Sequence, residues 1–353
     1  MSDIKINNIT DRSGSGGPVF AGISTVSTDA FMVMPSGPTE FRGGRARLVF
    51  GGGYYPSPHA NMNTLDFVEI ATLGNAVDFG DKTVARTSRQ MGSSATRGIM
   101  GTGQFPSAPT VRDVIDYITF QSGGGANDFG DLTVTPIKAA GFGNGVRGVF
   151  AGGYNPSNSD YTFGTIQYVN IATTGNSIIA SGLLNGTEGS KSDGSVADST
   201  RGCVGGLDID QFPGTPSQTN AIHFITTVTL GDSQDFGDLT VARRCGNGVS
   251  SSTTRGLFYS GSPGPGPHRN TIDYITIQSL GNAIDFGDIT THNNQDGASH
   301  GSNLTRSVNR VNNDANTIEY VTIATLGNTI EFGDSTHSAT SNLGIDNSNG
   351  SIG

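Results

Sequence analysis

The sequence predicts an all-β protein, a six-bladed β-propeller preceded by a short N-terminal β-rich segment. Three observations carry that prediction. The motifs Ile-Asp-Tyr-Ile-Thr, Leu-Gly-Asn-Ala and Asp-Phe-Gly-Asp return at intervals of roughly fifty residues, a period that belongs to solenoids, propellers and arrays. Helix formers are sparse, while 53 glycines and abundant Thr, Ile, Val, Asn and Ser make up much of the 353-residue chain, the composition of short strands joined by tight turns. The apolar residues recur in register with the motifs, which separates this glycine content from that of a disordered linker.

Six arginines, Arg47, Arg97, Arg147, Arg201, Arg255 and Arg306, open six such units. The third unit shows the elements in order. Arg147 to Gly153 is a short apolar run stopped by a glycine pair, a buried strand ending in a turn. A polar loop follows to about Gly164, and Ile166-Gln167-Tyr168-Val169-Asn170-Ile171 then alternates with the two-residue period of a strand. Thr174-Gly175-Asn176 supplies turn chemistry, because Gly and Asn tolerate positive φ. In the other units the next strand carries Asp-Phe-Gly-Asp, with Phe79, Phe129, Phe236, Phe286 and Phe332 as a repeated structural ring; here Ile178-Ile179-Ala180-Ser181 stands in its place. A Ser/Gly-rich stretch leads to the next Arg-Gly and supplies a weaker fourth strand. Four short antiparallel strands per unit describe one propeller blade. Packing blades around an axis buries faces that a lone sheet would leave open and keeps the edges short.

The ends of the chain lie outside this pattern. Residues 335–353, ending Gly350-Ser351-Ile352-Gly353, form a Ser/Asn/Gly-rich stretch that echoes the one leading to Arg97. It is expected to complete the first blade and lock the ring; a frayed tail is the alternative. The chain thus divides into residues 1–44 and a propeller over residues 45–353. Within the first part, Ile4 to Arg12 is β-like, and Val19-Phe20-Ala21-Gly22-Ile23 and Phe31-Met32-Val33-Met34 are short apolar runs. So few strands are marginal unless they pack on something. The segment reads as a flap against the propeller or as an attachment or oligomerisation segment.

Composition also excludes functions. A net charge of −10 argues against binding nucleic acid or an anionic membrane, which requires clustered Lys and Arg. No apolar run approaches a bilayer span, and Met1-Ser2-Asp3-Ile4-Lys5 lacks the apolar core of a signal peptide, so synthesis in a cytoplasm is expected. Cys203 and Cys245 are too few for a disulfide framework and leave two free thiols or one bond. The histidines, His59, His223, His268, His292, His300 and His337, show no metal-ligand spacing. There is no Gly-x-Ser-x-Gly elbow, and Gly141-Phe142-Gly143-Asn144-Gly145 does not complete a dinucleotide fingerprint. Asp-Phe-Gly is a kinase metal-binding motif when it occurs once, beside a Gly-rich loop and an His-Arg-Asp loop; five near-copies are architecture. No carboxylate pair stands out for glycoside hydrolysis, and acids repeated in every blade are poor catalysts, because a catalytic site breaks symmetry. The expectation is a protein with no catalytic residues and no cofactor.

The repeated acids Asp81, Asp131, Asp238, Asp288 and Asp334 are read as turn formers or as partners of the repeated arginines, with Ca²⁺ binding as the alternative. Function is sought where the copies diverge, between the glycine strand and the Tyr-bearing strand. Equivalent loops of a propeller emerge on one face, and these gather Tyr54, Tyr55, Phe105, Tyr154, Tyr161, Phe163, Phe212, His268 and Arg269 as candidate binding residues. Exposed aromatics amid Pro, Ser and Asn suit contact with protein or glycan; unconstrained drift of loops accounts for the same variation.

The order of apolar strand, glycine pair, loop, Tyr-bearing strand, turn, aromatic strand and Arg resembles the kelch repeat. The pairs Gly52-Gly53, Gly152-Gly153 and Gly205-Gly206 carry the likeness, as do Tyr117, Tyr168, Tyr274, Tyr320, Phe67 and Phe224 at the tyrosine position. The tryptophan of kelch falls on the Phe of Asp-Phe-Gly-Asp, and the chain has no Trp, so it is kelch-like. The wording Arg-Gly-Val-Phe-Ala-Gly-Gly followed by Thr-Ile-Asp-Tyr and Asp-Phe-Gly-Asp-Leu is similar to repeat proteins of tailed phages, marine phages and cyanophages among them. That resemblance covers about residues 45–353, and the N-terminal segment is similar to the first units of cyanophage fibre proteins. It implies a virion structural protein (fibre, appendage or capsid decoration) that meets other virion proteins through residues 1–44. It also implies contact with a host surface glycan or protein, and is compatible with a homo-oligomer. A free-standing lectin-like or protein-interaction module is the alternative, and a carbohydrate-active enzyme the third. Galactose-oxidase-like propellers need a copper site of several Tyr and His, and sialidase-like repeats need a Trp.

Overall fold

The computed structural model describes residues 47–55, 60–87, 90–105, 108–155, 164–184, 190–191, 194–209, 217–245, 250–252, 254–263, 269–290, 299–311, 316–338 and 343–347. Among the described residues every regular element is a β-strand. Six four-stranded antiparallel sheets form, with one additional three-stranded sheet. The first pairs Leu343–Asp346, Arg47–Tyr55, Ala60–Glu69 and Val77–Asp81 in that order; the second is Gln90–Ser93, Arg97–Phe105, Ala108–Thr119 and Asn127–Asp131. The third holds Ala140–Gly143, Arg147–Ala151, Thr165–Asn170 and Ile178–Leu183; the fourth holds Ser195–Ala197, Arg201–Gly205, Ala221–Thr226 and Gln234–Asp238. The fifth is Ser250–Ser251, Arg255–Gly261, Arg269–Thr276 and Ile284–Asp288, and the sixth Ser299–Ser302, Arg306–Arg310, Thr317–Thr322 and Ile330–Asp334.

The first-named strand of each sheet lies beside the first-named strands of its two neighbours, so the six close a ring about a central axis. These are the blades of a propeller. Burial follows distance from the axis. In blade 3 the second strand, Arg147–Ala151, is buried from its second residue onward, and the third, Thr165–Asn170, alternates. The outer strands of the other five blades bury the Phe of Asp-Phe-Gly-Asp, with Phe79, Phe129, Phe236, Phe286 and Phe332 at 2–4% exposure. Each of these rings stands edge-on to the aromatic residue of the third strand at 5.9–6.3 Å, the favoured geometry for such pairs. Small residues crowd the axis. A Cβ on Gly92 would lie 2.7 Å from Gly148 Cα, so only glycine lets these neighbouring strands approach.

Three fasteners recur between blades, the first of them at every boundary. First, the arginine opening the second strand lies over the third-strand ring of its own blade at 4.3–5.0 Å and donates to a carbonyl of the following blade. Arg97 reaches Ala172 O at 2.8 Å, Arg255 reaches Ile323 O at 2.8 Å, and Arg306 of blade 6 reaches Ala71 O of blade 1 at 3.0 Å. Second, the turn between third and outer strands clasps the outer strand of the preceding blade. Gly175 N donates to Phe129 O at 2.8 Å, and Asn176 Oδ1 accepts from Asp131 N at 3.0 Å. Gly74 and Asn75 do the same for Phe332 and Asp334 across the closure. Gly130 makes this possible: its φ is +146°, and a Cβ would meet Gly175 O at 2.5 Å. Third, at four of the six boundaries a buried acid of the third strand accepts from the threonine that follows the Phe-Gly-Asp motif in the preceding blade, Asp116 taking Thr83 at the first of them. Asp273 takes Thr240, Asp66 takes Thr336 and Glu319 takes Thr290.

Blade 3 departs from the pattern as its sequence does. Its outer strand holds one residue more, so that Gly182 takes the place of the motif glycine and lies against Gly231. Leu183 N is still held by Asp232 Oδ1 at 2.9 Å. The strand forms because the clasp acts on backbone, and only the Phe ring is missing.

Blade 1 is assembled from both ends of the described chain. Leu343–Asp346 pairs antiparallel with Arg47–Tyr55, Leu48 opposite Asp346. Asn347 Oδ1 then accepts from Arg47 N at 2.8 Å, as Asn303 Oδ1 accepts from Arg306 N at 2.7 Å within the continuous turn of blade 6. The junction of residues 347 and 47 is therefore a turn of the same kind with its chain cut. Residues 350–353 and the whole segment 1–44 lie outside the described residues.

Candidate binding face

Antiparallel order gives the disc two unlike faces. One, the turn face, bears the turns between first and second strands and between third and outer strands. The other, the hairpin face, bears the connections from second to third strand and the links from each outer strand to the next blade. The divergent stretches of the sequence lie on the hairpin face.

Two of them are strand rather than loop. Arg47–Tyr55 and Ala60–Glu69 stay paired as far as Tyr55 opposite Ala60, and Arg97–Phe105 and Ala108–Thr119 as far as Phe105 opposite Ala108. Backbone pairing extends these hairpins past the glycine pair because a register shift between Gly51 and Gly53, repeated between Gly101 and Gly103, absorbs the bend. Tyr54, Tyr55 and Phe105 thus stand on paired backbone. Tyr154 is half-buried and bridges to Ile137, donating its N–H at 2.9 Å and accepting at 2.7 Å. Arg269 is exposed at the start of its strand, opposite Gly261. Tyr161, Phe163, Phe212 and His268 lie outside the described residues. The structure joins Tyr54 and Tyr55 on one hairpin and places Phe105, Tyr154 and Arg269 on three other blades. In blade 4 the divergent stretch supplies Asp208–Ile209 and Ser217–Gln218, which form the additional sheet with Ser190–Lys191 of the link from blade 3, and Arg244 Nη1 meets Asp208 Oδ2 at 3.1 Å.

Beneath this face lie charges that the repeat pattern hides. Arg86 and Asp116 meet at 2.9 Å and Arg243 and Asp273 at 2.9 Å, all four side chains fully buried between blades. Lys82 donates to Arg86 O, and burial holds its amine well below the usual range, with the Arg86 charge adding to the effect and Asp116 opposing it. Burial lowers Arg310 to about 10, against the pull of Asp66. The acids are the Asp of Ile-Asp-Tyr-Ile-Thr, which motif reading passed over. The available signal was an acid between apolar residues mid-strand, with Thr-Val-Ala-Arg recurring at Thr83–Arg86 and Thr240–Arg243.

The acids that were singled out behave otherwise. The described hydrogen bonds put the last Asp of Asp-Phe-Gly-Asp to use through its backbone, while the first Asp makes the side-chain turn contact, Asp78 Oδ1 to Gly80 N at 3.1 Å and Asp285 Oδ1 to Gly287 N at 3.2 Å. The repeated arginines are committed to rings and carbonyls, and Arg47 pairs with Glu69. Acids on an outer strand discourage another chain from adding to that edge. Asp131 is raised above the ordinary carboxyl value by partial desolvation, then by Asp113 and Asp128. Among the described residues no three His, Cys, Asp or Glu side chains converge on a metal position. His300 is buried against Tyr259 with ring centroids 4.5 Å apart, and His337 meets Asp66 at 3.2 Å. Both cysteines are buried and neither is in a disulfide, with the Cys203 thiol pushed up by burial.

This geometry defines a six-bladed β-propeller. No protein family matches the chain, and no curated protein matches it. The solved structure of YjhT is similar in fold, with a TM-score of 0.56 at 9% identity over 68% of this chain and 82% of that one. At that identity the likeness is one of fold alone, and a fold shared so widely does not fix a role.

Proposed function

We propose that this chain is a non-enzymatic structural protein of a tailed-phage particle, a fibre, appendage or capsid-decorating component that displays a kelch-like propeller towards a host surface. The observation that carries the reading is the two-sidedness of the disc. Residue 46 is joined to Arg47, whose N–H is held by Asn347 on the turn face, while the divergent hairpins stand on the opposite face. A tether through residues 1–44 therefore leaves the hairpin face pointing away from whatever holds the tether. The three fasteners, repeated around the ring, suit a rigid platform, and copies on one particle would turn weak contacts with glycan or protein into avidity. The resemblance of the repeat wording to phage structural proteins supports the same setting.

The test is localisation on purified particles by immunogold labelling and cryo-EM, with antibody against residues 45–353. Label at fibre tips is expected for host contact through the hairpin face, and label over the capsid for decoration. Particles without label would overturn the virion reading in favour of a free-standing lectin-like or protein-interaction module. Turnover of a polysaccharide would overturn the non-enzymatic one.

A further inference from the structure

The turn face carries an apolar arc. In blades 5, 6 and 1, consecutive around the ring, the turn before the outer strand exposes a leucine and the strand opens on an exposed β-branched residue. The pairs are Leu280 at 61% and Ile284 at 55%, Leu326 at 58% and Ile330 at 55%, and Leu73 at 57% and Val77 at 56%. The fold does not require these identities, because other blades make the same clasp without them. Blade 2 has Gly123 and Asn127 at the two positions, and blade 4 buries Leu230 to 2% exposure and opens its strand on Gln234. Exposed apolar residues continue into blade 4, with Val228 at 60%, and into blade 3, with Val146, Ile178 and Ile179; the part that runs unbroken to blade 1, where Arg47 begins, lies in blades 5, 6 and 1. Single exposed leucines are ordinary; six apolar side chains on three adjacent blades form a patch of the kind that is covered.

The chain itself supplies a cover. Residues 1–46 reach the propeller at Arg47, on this face and in blade 1, where the arc ends. Val19–Ile23 and Phe31–Met34 are apolar, and between Pro18 and Met34 the only charged residue is Asp29. The thirteen steps from Met34 to Arg47 span up to about 40 Å when extended, which allows the apolar runs to reach from blade 1 to blade 5. We infer that residues 18–34 dock on the arc of Leu280, Leu326 and Leu73. The tether is then clamped to the turn face and the disc held at a fixed angle. This inference does not depend on the virion reading.

Hydrogen–deuterium exchange read by mass spectrometry on the full chain tests it. Peptides covering residues 18–34 are expected to exchange at least tenfold more slowly than unstructured peptides. That protection is expected to vanish in Leu73→Ser/Leu280→Ser/Leu326→Ser, while the propeller amides keep theirs. The segment variant Phe20→Ser/Phe31→Ser, which leaves the propeller untouched, is expected to lose the same protection. Fast exchange of residues 18–34 in the unaltered chain, or protection that survives the triple variant, overturns the inference. Protection that appears only as light scattering reports a dimer also overturns it, and assigns the arc to a second copy.

Discussion

Replacing Asp273 with glutamine should cost about 3–5 kcal/mol of unfolding free energy, and replacing Arg243 as well should restore most of it. Asp273 Oδ2 accepts from Arg243 Nη1 at 2.9 Å and from Thr240 N at 3.1 Å, and Oδ1 accepts from Thr240 Oγ1 at 2.6 Å. Both charged side chains have 0% exposure. Each has given up its hydration, and the opposite charge is the only full charge that compensates it beside a few hydrogen bonds. Glutamine can keep the threonine contacts, but it leaves Arg243 as a buried cation held by the carbonyls of Ser260, Val241 and Phe258 at 2.8, 3.3 and 3.4 Å. Dipoles do not replace a counter-charge at that depth. The molecule already contains the neutral solution between blades 2 and 3. There Gln167 stands at the Asp273 position and Pro136 at the Arg243 position. Gln167 Oε1 accepts from Val134 N at 3.2 Å and Ser177 Oγ at 2.7 Å, while Nε2 donates to Val134 O at 2.8 Å. Asp273→Gln/Arg243→Leu should therefore lie within about 1.5 kcal/mol of the unaltered protein. Urea denaturation followed by circular dichroism, arranged as a double-mutant cycle, measures all four proteins. A single variant costing under about 1 kcal/mol, or a double variant costing the sum of the two singles, would refute the reasoning.

Three further outcomes are expected. Burial lowers the pKa of His223, Asp235 opposes that shift, and Nδ1 has no hydrogen-bond partner among the described residues. The unfolded chain then binds the proton first, so stability should be full above about pH 6.5 and fall as pH drops below it. His223→Gln, compared by denaturation midpoints over that range, should flatten the slope, and an unchanged slope would count against it. Deleting residues 343–353 uncovers Leu48, Val49 and Phe50, each at 0% exposure; the sharp thermal transition should be lost and an apolar dye should bind, whereas an unaltered melt would show that the ring does not need its closing strand. Cys203 and Cys245 are buried and outside any disulfide, so Ellman's reagent should titrate no thiol in the native protein and two after denaturation. Rapid native reaction would contradict their burial.

Strand identity was legible because it is local. Two-residue alternation through Ile166–Ile171, glycine pairs that stop a run, and Gly-Asn turns act within a few residues of themselves. The phenylalanines of Asp-Phe-Gly-Asp could be picked out for the same reason, since a buried ring on an otherwise polar edge strand is a local contrast. The hairpins at Tyr54 and Phe105 were read as loops because their polar composition outweighed the pairing that continues past Gly53 and Gly103. Candidate residues such as Tyr54, Phe105, Tyr154 and Arg269 could be placed on one face by topology, while nothing in their own neighbourhoods selects a ligand.

By itself the sequence determined that the fold is all-β, that the unit is a small antiparallel sheet, and that six units occur. Each of those is set by periodicity within a unit. Tertiary structure alone decided what each repeated residue holds. Arg97 finds Ala172, Asn176 finds Asp131 and Asp273 finds Thr240 and Arg243, each across a blade boundary. A repeat marks a position as constrained in every copy but cannot name its partner, since identical copies offer the same candidates in each blade. Curving the sheets into a ring resolves that degeneracy, because it brings each unit's outer strand against the turn of one neighbour. Closure at Asn347 and Arg47 then fixes on which of the two faces the strand of Arg47 begins.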